Sequence, residues 1–402
     1  MTLMIHNNGI RVALLTAGYD EHYAFGVLSG LFGRNVEIDF IGNDVMEKAE
    51  IVRNAQVRFF NLRGDHGPSA SLPAKMARIV RYYARLMNYA WASEAKIFHI
   101  LWLNTRFEYF ERTVMNGYYR LLGKKLVYTA HNVNVRERDG TDTWMNRSLL
   151  KIMYRFYDHI FVHTEKMKQQ LVQEYGVKES RITVIPFGVN DVIPRTGMSR
   201  REARQKLGVA DRDHAMLFFG RIAPYKGLDL LVQALPVMAQ TDPAVRLIIA
   251  GEIKKSDCEA HWDAVQGMID ERGLRNHVLQ RIEYISDEDV EIYFKAADVL
   301  VMPYRHIYQS GLPFLAYNFG LPIVATDVGS LREDIVEGET GFVCRTDDPD
   351  DLAKAVCAYF GSELFRNLEG KREKIMSRLH EKHSWTGIGE TIYRVYESVA
   401  KR

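Results

Sequence analysis

The 402-residue chain is poor in cysteine: Cys258, Cys344 and Cys357 are its only three, widely spaced and odd in number. That excludes a disulfide framework, and their spacing matches no zinc or redox motif. Long apolar runs are also missing. No segment reaches eighteen consecutive apolar residues, so no helix able to span a bilayer is expected. Met1–Gly9 lacks the charged and apolar regions of a secretory signal, and no low-complexity tract or short repeat is visible. Reduced thiols and the absence of a leader lead to the expectation of a cytoplasmic protein, in which the sequon Asn146-Arg147-Ser148 carries no meaning. Net charge is small, +2, but uneven: residues 1–195 hold 26 Lys and Arg against 19 Asp and Glu, and the remainder 27 against 32. A basic first half suggests an anionic partner there; nucleic acid is not expected.

What is present is the composition of a soluble globular protein, 47% apolar and 26% charged. The length exceeds one typical core, so two domains are expected. Short β-branched runs alternate with helical patterns throughout. The candidate strands are Arg11–Thr16, Glu37–Ile41, Val57–Leu62, Ile97–Leu101, Lys125–Thr129, His159–His163 and Ile182–Pro186 in the first half. Ala215–Phe219, Arg246–Ala250, Val278–Ile282, Val299–Met302, Ile323–Thr326 and Gly341–Cys344 follow in the second. This alternation is that of parallel sheets built from strand–helix–strand units. The Pro/Gly segment Val192–Ser199, before the helix-like Arg200–Leu207, sets the boundary at about residue 195. The expected fold is α/β, two doubly wound Rossmann-like domains, 1–195 and 196–402, facing each other across a cleft where ligands bind at the carboxyl ends of the strands.

Phe219-Gly220-Arg221-Ile222-Ala223-Pro224-Tyr225-Lys226-Gly227 is the most informative stretch. A strand, a glycine-flanked basic turn and a helix start make an anion site, with backbone amides and two cations directed at a phosphate. Arg grips two oxygens at once, whereas Lys acts as a point charge. The alternative is an ordinary strand–helix connection with surface cations.

Other segments carry weaker signals. Gly18, in the loop Thr16–Gly26 after the first strand, permits close approach of a ligand to the backbone. His131 and Asn132 follow a buried strand; the imidazole either faces a sugar hydroxyl or is satisfied within its loop. Gly188 and Asn190 of Val184–Asn190 shape a turn. Around Gln280–Ser286, backbone groups can meet a base edge, Arg281 or Tyr284 can stack on it, and Ser286 reads equally as a helix N-cap. Ser310-Gly311-Leu312 opens a helix whose free amides offer a second place for a diphosphate. Two such devices in one half suggest a nucleoside diphosphate.

The Gly220-Arg221…Lys226-Gly227 loop, the segment ADVLVMPY (297–304) and GLPIVATDVGSLREDIVEGETGFVC (320–344) occur in order and properly spaced. With the Gly18 loop, TAHN (129–132) and VIPFGVN (184–190), they make the chain resemble a GT-B retaining glycosyltransferase of family four, the bacterial group 1 enzymes. The resemblance implies that Arg221 and Lys226 hold the donor diphosphate and that Gly18 and Gly220 approach it. It further implies that His131 lies near the donor sugar, with Arg221, Lys226 and His131 as the catalytic set. Arg281, Ile282 and Glu283 would receive the base, most commonly uridine. Tyr19, His22 and Asn132 are the candidate acceptor contacts, although His22 reads equally as a surface residue. It also implies that no metal or other cofactor is needed, and that the last helix, from about 385, crosses back onto the first domain.

One departure stands out. The family carries two glutamates eight residues apart before the GLPIVAT segment, and those positions hold Ile307 and Leu315 here. Gln309, Ser310, Gly311 and Leu312 are then left to contact the sugar and phosphates, with Glu333 a candidate for the ribose.

The implied function is transfer of a sugar from a nucleoside diphosphate sugar to an acceptor hydroxyl, in surface polysaccharide or glycolipid assembly. The rivals are a non-catalytic nucleotide-sugar binding protein and a GT-B sugar-nucleotide epimerase. Lys75, Arg78, Arg81 and Arg85 form one stripe of the helical segment Pro73–Trp91, with Met76, Ile79, Val80, Tyr83, Leu86 and Met87 largely on other faces. This helix reads either as peripheral on an anionic membrane surface or as an ordinary surface helix. Tyr82, Tyr83, Tyr89, Trp91, Trp102, Phe107 and Tyr109 either stack on sugars or pack.

Overall fold

The computed structural model describes residues 9–65, 71–104, 107–138, 141–188, 194–253 and 256–402. Met1–Asn8, the turn residue Asn190, and Val192 and Ile193 of the expected linker lie outside them. The chain divides into two compact units, Met1–Gly188 with His383–Arg402, and Val189–Lys382.

The first unit holds a seven-stranded sheet of β1 (Ile10–Leu15), β2 (Val36–Gly42), β3 (Val57–Asn61), β4 (Ile97–Ile100), β5 (Lys125–Ala130), β6 (His159–Val162) and β7 (Ile182–Val184). Their order is β3-β2-β1-β4-β5-β6-β7, and every pairing is parallel. β1 is central, with Val12 opposite both Ile38 and Ile97, all three fully buried. Burial on both faces explains why such strands read as continuous apolar runs.

The second unit repeats the plan with β8 (His214–Phe219), β9 (Val245–Ala250), β10 (Val278–Arg281), β11 (Val299–Met302), β12 (Ile323–Thr326) and β13 (Gly341–Cys344), ordered β10-β9-β8-β11-β12-β13. All thirteen expected strands are present, three with the expected ends and the others with ends shifted by at most two residues. In each sheet the strand order reverses beside the first strand, at β1/β4 and at β8/β11. Ligands of doubly wound folds bind at the carboxyl end of that switch point.

Helix ends follow local chemistry. Ser199 and Glu202 form a reciprocal capping box on Arg200–Leu207, which stops at Gly208 with φ 75°. Behind that helix, Asp298 is the polar hub of the second unit. Its carboxylate takes Arg200 (2.7 Å), the fully buried Arg204 (2.7 Å) and the Ala215 amide (2.8 Å).

The terminal helix Trp385–Ala400 packs on the helix Glu21–Leu31 of the first unit. Ile388, Ile392, Val395, Tyr396 and Val399 join the core formed by Val27, Leu28, Leu31 and Ile97. The two helices meet backbone to backbone: a Cβ on Gly389 would lie 1.8 Å from the Gly30 carbonyl oxygen. Tyr396 Oη and His99 Nδ1 are 2.6 Å apart, and His99 Nε2 lies 2.8 Å from Thr129 Oγ1, so a polar chain ties the helix to β4 and β5.

The segment expected around Pro73–Trp91 is the helix Leu72–Ala92. Its four cations are not equivalent. Arg81 and Arg85 are exposed, whereas Lys75 and Arg78 are half-buried and Arg78 pairs with Asp65 at 3.2 Å. Met76, Val80 and Trp91 are exposed beside them, while Tyr82, Tyr83, Leu86 and Tyr89 are buried. Those three tyrosines therefore pack against protein. No helix among the described residues is long and apolar enough to cross a membrane.

Candidate functional site

The basic turn sits at the β8/β11 switch point and is held there by its glycines. Gly220 has φ 91° and donates to the Ala250 carbonyl at 2.8 Å; Ile222 donates to the Glu252 carbonyl at 3.0 Å. These bonds fix the backbone on both sides of Arg221. Pro224–Lys226 form a single tight helical turn, ended by Gly227 at φ 67°. A Cβ on Gly227 would lie 2.0 Å from the Pro303 carbonyl oxygen, so only glycine fits. The helix Leu228–Thr241 starts directly from Gly227, with no side-chain cap on its first amides.

A third cation secures this turn. Arg305 grips both Asp229 oxygens at 2.7 Å and Asp347 at 2.8 Å, and donates to the Pro224 carbonyl at 3.1 Å. Its own amide donates to the Tyr225 carbonyl at 2.8 Å. Arg305 is thereby neutralised. Arg221 is not: it is exposed and makes no hydrogen bond or ion pair among the described residues. Lys226 Nζ is half-buried, 3.5 Å from the Phe219 carbonyl and 5.6 Å from the centre of the Tyr304 ring. Burial and, secondly, the Arg221 charge push its pKa down to about 8. The two cations thus stand side by side without a carboxylate partner among the described residues.

The neighbouring expected contacts differ from one another. Arg281, Glu283 and Tyr284 are exposed at the end of β10, and Ile282 is half-buried. Ser286 stands at the N-cap of Asp287–Ala296, but its hydroxyl donates to Asp289 Oδ2 at 2.9 Å and makes no capping bond to the backbone. The helix after Gly311 is short, Leu312–Asn318, with Pro313 in its first turn. The Leu312 amide donates to Ser310 Oγ at 3.2 Å, so the free amides expected there are fewer: one is occupied and proline supplies none. Ile307 is buried and Leu315 half-buried. Gly329, at φ 59°, lies against the Ile307 carbonyl, where a Cβ would come within 2.1 Å. Gln309 Oε1 is buried and has no hydrogen-bond partner among the described residues. Glu333 is exposed on the turn Leu331–Asp334.

In the first unit the β1/β4 switch point carries a second cluster. His131, just after β5, stacks on Trp102 (centroids 3.9 Å apart, planes at 5°) and meets Tyr23 edge-on at 4.6 Å. His131 Nδ1 lies 3.1 Å from His163 Nε2, while its Nε2 is buried and makes no hydrogen bond among the described residues. Burial and, next, His163 hold His131 well below the ordinary histidine range, against the Leu101 carbonyl, which acts to raise it. Burial takes His163 down to about 4. Gly18, at φ 79°, spends its amide on Thr16 Oγ1 (3.0 Å) and its carbonyl on Asn43 (3.2 Å). Tyr19, His22 and Asn132 are half-buried on the same loops. A Cβ on Gly188 would lie 2.2 Å from the Trp385 ring, so this glycine makes room for the terminal helix.

Several participants were invisible in the sequence reading. Trp102 was among the aromatic residues expected either to stack on sugars or to pack, whereas Arg305 and His163 belong to no motif. Glu111 is another: it lies buried beneath Trp102 in a pocket also lined by Tyr82, Asn116 and Tyr119. Burial raises its pKa to about 7, while it accepts from Tyr83 Oη at 2.8 Å and the Asn104 amide at 2.6 Å. Among the described residues no group of three or more His, Cys, Asp or Glu is placed to hold a metal ion.

Comparison with known families matches residues 5–192 to Glycosyltransferase Family 4 and residues 199–374 to Glycosyl transferases group 1. This chain belongs to the family 4, group 1 glycosyltransferases. D-inositol 3-phosphate glycosyltransferase of Nocardia farcinica is 31% identical over 245 residues, covering 59% of this chain and 53% of that protein. Mannosylfructose-phosphate synthase of Agrobacterium fabrum is 28% identical over 251 residues, 61% of this chain and 54% of that one. The chain thus spans about half the length of the curated relatives it matches. Among solved structures, sucrose-phosphate synthase from Thermosynechococcus elongatus superposes with a TM-score of 0.75 at 18% identity, covering 97% of this chain and 99% of the other. Anabaena HepE in complex with UDP and glucose gives 0.72 at 17%, covering 97% and 100%. Both likenesses concern the fold, which is GT-B. Within this family 4 glycosyltransferase, Ile307 and Leu315 put apolar side chains where a carboxylate pair was expected. Gln309, between them in the chain, has a buried acceptor that makes no hydrogen bond among the described residues.

Proposed function

We propose that this glycosyltransferase moves a sugar from a nucleoside diphosphate sugar, UDP-linked, to an acceptor hydroxyl with retained configuration. The observation that carries the reading is the unmatched pair Arg221 and Lys226 on a glycine-held turn at the β8/β11 switch point. The two cations take the diphosphate. Arg281, Ile282 and Glu283 receive the base, and Gln309 and His131 meet sugar hydroxyls. As the bond from the anomeric carbon to the β-phosphate oxygen breaks, charge grows on the diphosphate and the fixed cations stabilise it without reorganising. The acceptor oxygen bonds to the same face of that carbon, and its proton passes to the departing phosphate oxygen. In this reading no metal or other cofactor takes part.

The test is nucleotide release and sugar transfer with a panel of UDP-, ADP- and GDP-sugars. Arg221→Ala and Lys226→Ala should each lower turnover roughly a hundredfold or more. Unchanged turnover in both variants would remove the mechanism. Tight nucleotide-sugar binding without transfer by the wild type would favour the binding-protein reading, which the apolar Ile307 and Leu315 motivate.

The acceptor is proposed to reach the first unit at an anionic membrane surface on the cytoplasmic side. Exposed Met76, Val80 and Trp91 share one helix with exposed Arg81 and Arg85, a combination suited to a lipid interface. Co-sedimentation with phosphatidylglycerol vesicles but not with phosphatidylcholine vesicles, lost in Trp91→Ser/Arg85→Glu, is the expected result. Equal pelleting with both, or with neither, would remove the membrane.

A further inference from the structure

Four groups along one line decide where the proton of His131 sits. The Ile185 carbonyl lies 3.2 Å from His163 Nδ1. A carbonyl only accepts, so His163 Nδ1 must carry hydrogen. His163 is neutral at physiological pH because burial lowers its pKa to about 4. A neutral imidazole has one N–H, so His163 Nε2 presents a lone pair. That lone pair faces His131 Nδ1 at 3.1 Å. With the Ile185 bond made, His131 is the donor in this pair, with its hydrogen on Nδ1; the reverse relay would direct His131 at the Leu101 carbonyl instead. Its own neutrality, also imposed by burial, leaves Nε2 bare.

The plane of the ring is held by its neighbours. Trp102 covers one face in parallel stacking and Tyr23 abuts it edge-on. His131 is only 8% exposed, yet among the described residues Nε2 makes no hydrogen bond, and the Leu101 carbonyl is the one competing acceptor that acts on the ring. A buried acceptor without a donor is costly, on the order of 1–3 kcal/mol, unless a ligand supplies the hydrogen.

We propose that His163 is a positioning residue that locks His131 as the Nδ1–H tautomer, so that His131 Nε2 accepts a hydrogen bond from a hydroxyl of the bound sugar. This rests on the donor-sugar reading of His131 given above. It reverses the simplest expectation for such an imidazole, donation to the sugar. It also assigns a job to His163, which lies outside every recognised motif. An Nε2 acceptor selects for a ligand group bearing hydrogen: a hydroxyl is held, whereas a methyl ether or a deoxy position is not.

Two measurements test it, and they fail independently. The first uses the ligand-free protein labelled with 15N-histidine, in which two-bond 1H–15N correlations distinguish the tautomers; His131→Gln and His163→Gln identify the signals. Hydrogen on Nδ1 of both rings is expected. Hydrogen on His131 Nε2, directed at the Leu101 carbonyl, would overturn the proposal whether or not any sugar is transferred.

The second is kinetic, with the UDP-sugar that the wild type turns over. His163→Leu removes the acceptor and should lower kcat/KM at least tenfold. In His163→Gln, the side-chain NH2 can donate to Ile185 and its oxygen can accept from His131, so most of the loss should be recovered. Across a series of singly deoxygenated donors, one should be handled equally by wild type and His163→Leu. Equal losses in the Leu and Gln variants, or a constant penalty across all deoxy donors, would reduce His163 to a packing residue and overturn the proposal. If no UDP-, ADP- or GDP-sugar is turned over, the functional reading falls while the tautomer result stands.

Discussion

Replacing Lys226 with Met keeps the length of the side chain and removes its charge. In the wild type, burial beside Arg221 holds the ammonium down at about 8 rather than near the ordinary lysine value of 10.5. The empty site thus disfavours the very charge it is proposed to use. A bound diphosphate reverses this by supplying the missing counter-charge. If binding restored the ordinary value, the coupling would be up to about 3 kcal/mol, or roughly a hundredfold in affinity, an upper bound because the group keeps access to water. Isothermal titration with UDP should therefore give a Kd about ten- to a hundredfold weaker for Lys226→Met. The pH profile is more discriminating. Wild-type affinity should be level from pH 7 to 8 and then weaken by up to tenfold per unit as the free enzyme loses the Lys226 proton. Lys226→Met should be level across that window. Without ligand the sign is opposite: the depressed pKa costs stability below about pH 8 and is relieved as pH rises towards 10.5. A variant with wild-type Kd and a wild-type pH profile would refute the assignment of Lys226 to the phosphates.

Asp298→Ala should destabilise the second unit by about 3–5 kcal/mol in denaturant unfolding, because Arg204 would be left buried and unpaired; a loss below 1 kcal/mol would contradict this. Gly389→Ala should lower the melting temperature and expose the terminal helix to proteolysis, since its Cβ would overlap the Gly30 carbonyl. Gly387→Ala, two residues away with nothing within 4 Å, should instead gain up to about 1 kcal/mol; the same response at both sites would refute the packing argument. Stability of the first unit should fall as pH drops from about 6.5 to about 4, because burial holds His99 near 3 and both His159 and His163 near 4. The unfolded chain takes up those protons first, each histidine contributing on the order of 3 kcal/mol, and an unfolding midpoint constant from pH 6.5 to 4.5 would exclude it.

The thirteen strands and the turn Gly220–Gly227 were legible because their signals are local. A buried parallel strand is a short apolar run, and a glycine at φ 67° is a requirement of its own turn, although the Pro303 carbonyl it faces comes from another loop. The expected amides at Ser310–Leu312 were misjudged for an equally local reason: the serine two residues earlier folds back onto the Leu312 amide. Ser286 illustrates the same limit, since its hydroxyl prefers the Asp289 carboxylate to the backbone. Arg305 escaped notice because its partners, Asp229 and Asp347, are remote in the chain and meet it only when the loops after β8, β11 and β13 converge. Glu111 escaped because nothing in its own segment says that it is buried.

From its order of residues alone, the chain determines two doubly wound sheets and a glycine-framed pair of cations, since backbone preference and apolar periodicity act over a few residues. Tertiary structure decides which charges stay unmatched and which nitrogen of His131 carries hydrogen. Both depend on neighbours that folding brings together: Asp229 and Asp347 neutralise Arg305 and leave Arg221 free, while the Ile185 carbonyl, acting through His163, orients the proton of His131. Solvation and hydrogen bonding are properties of that assembled environment, and no stretch of sequence carries them by itself.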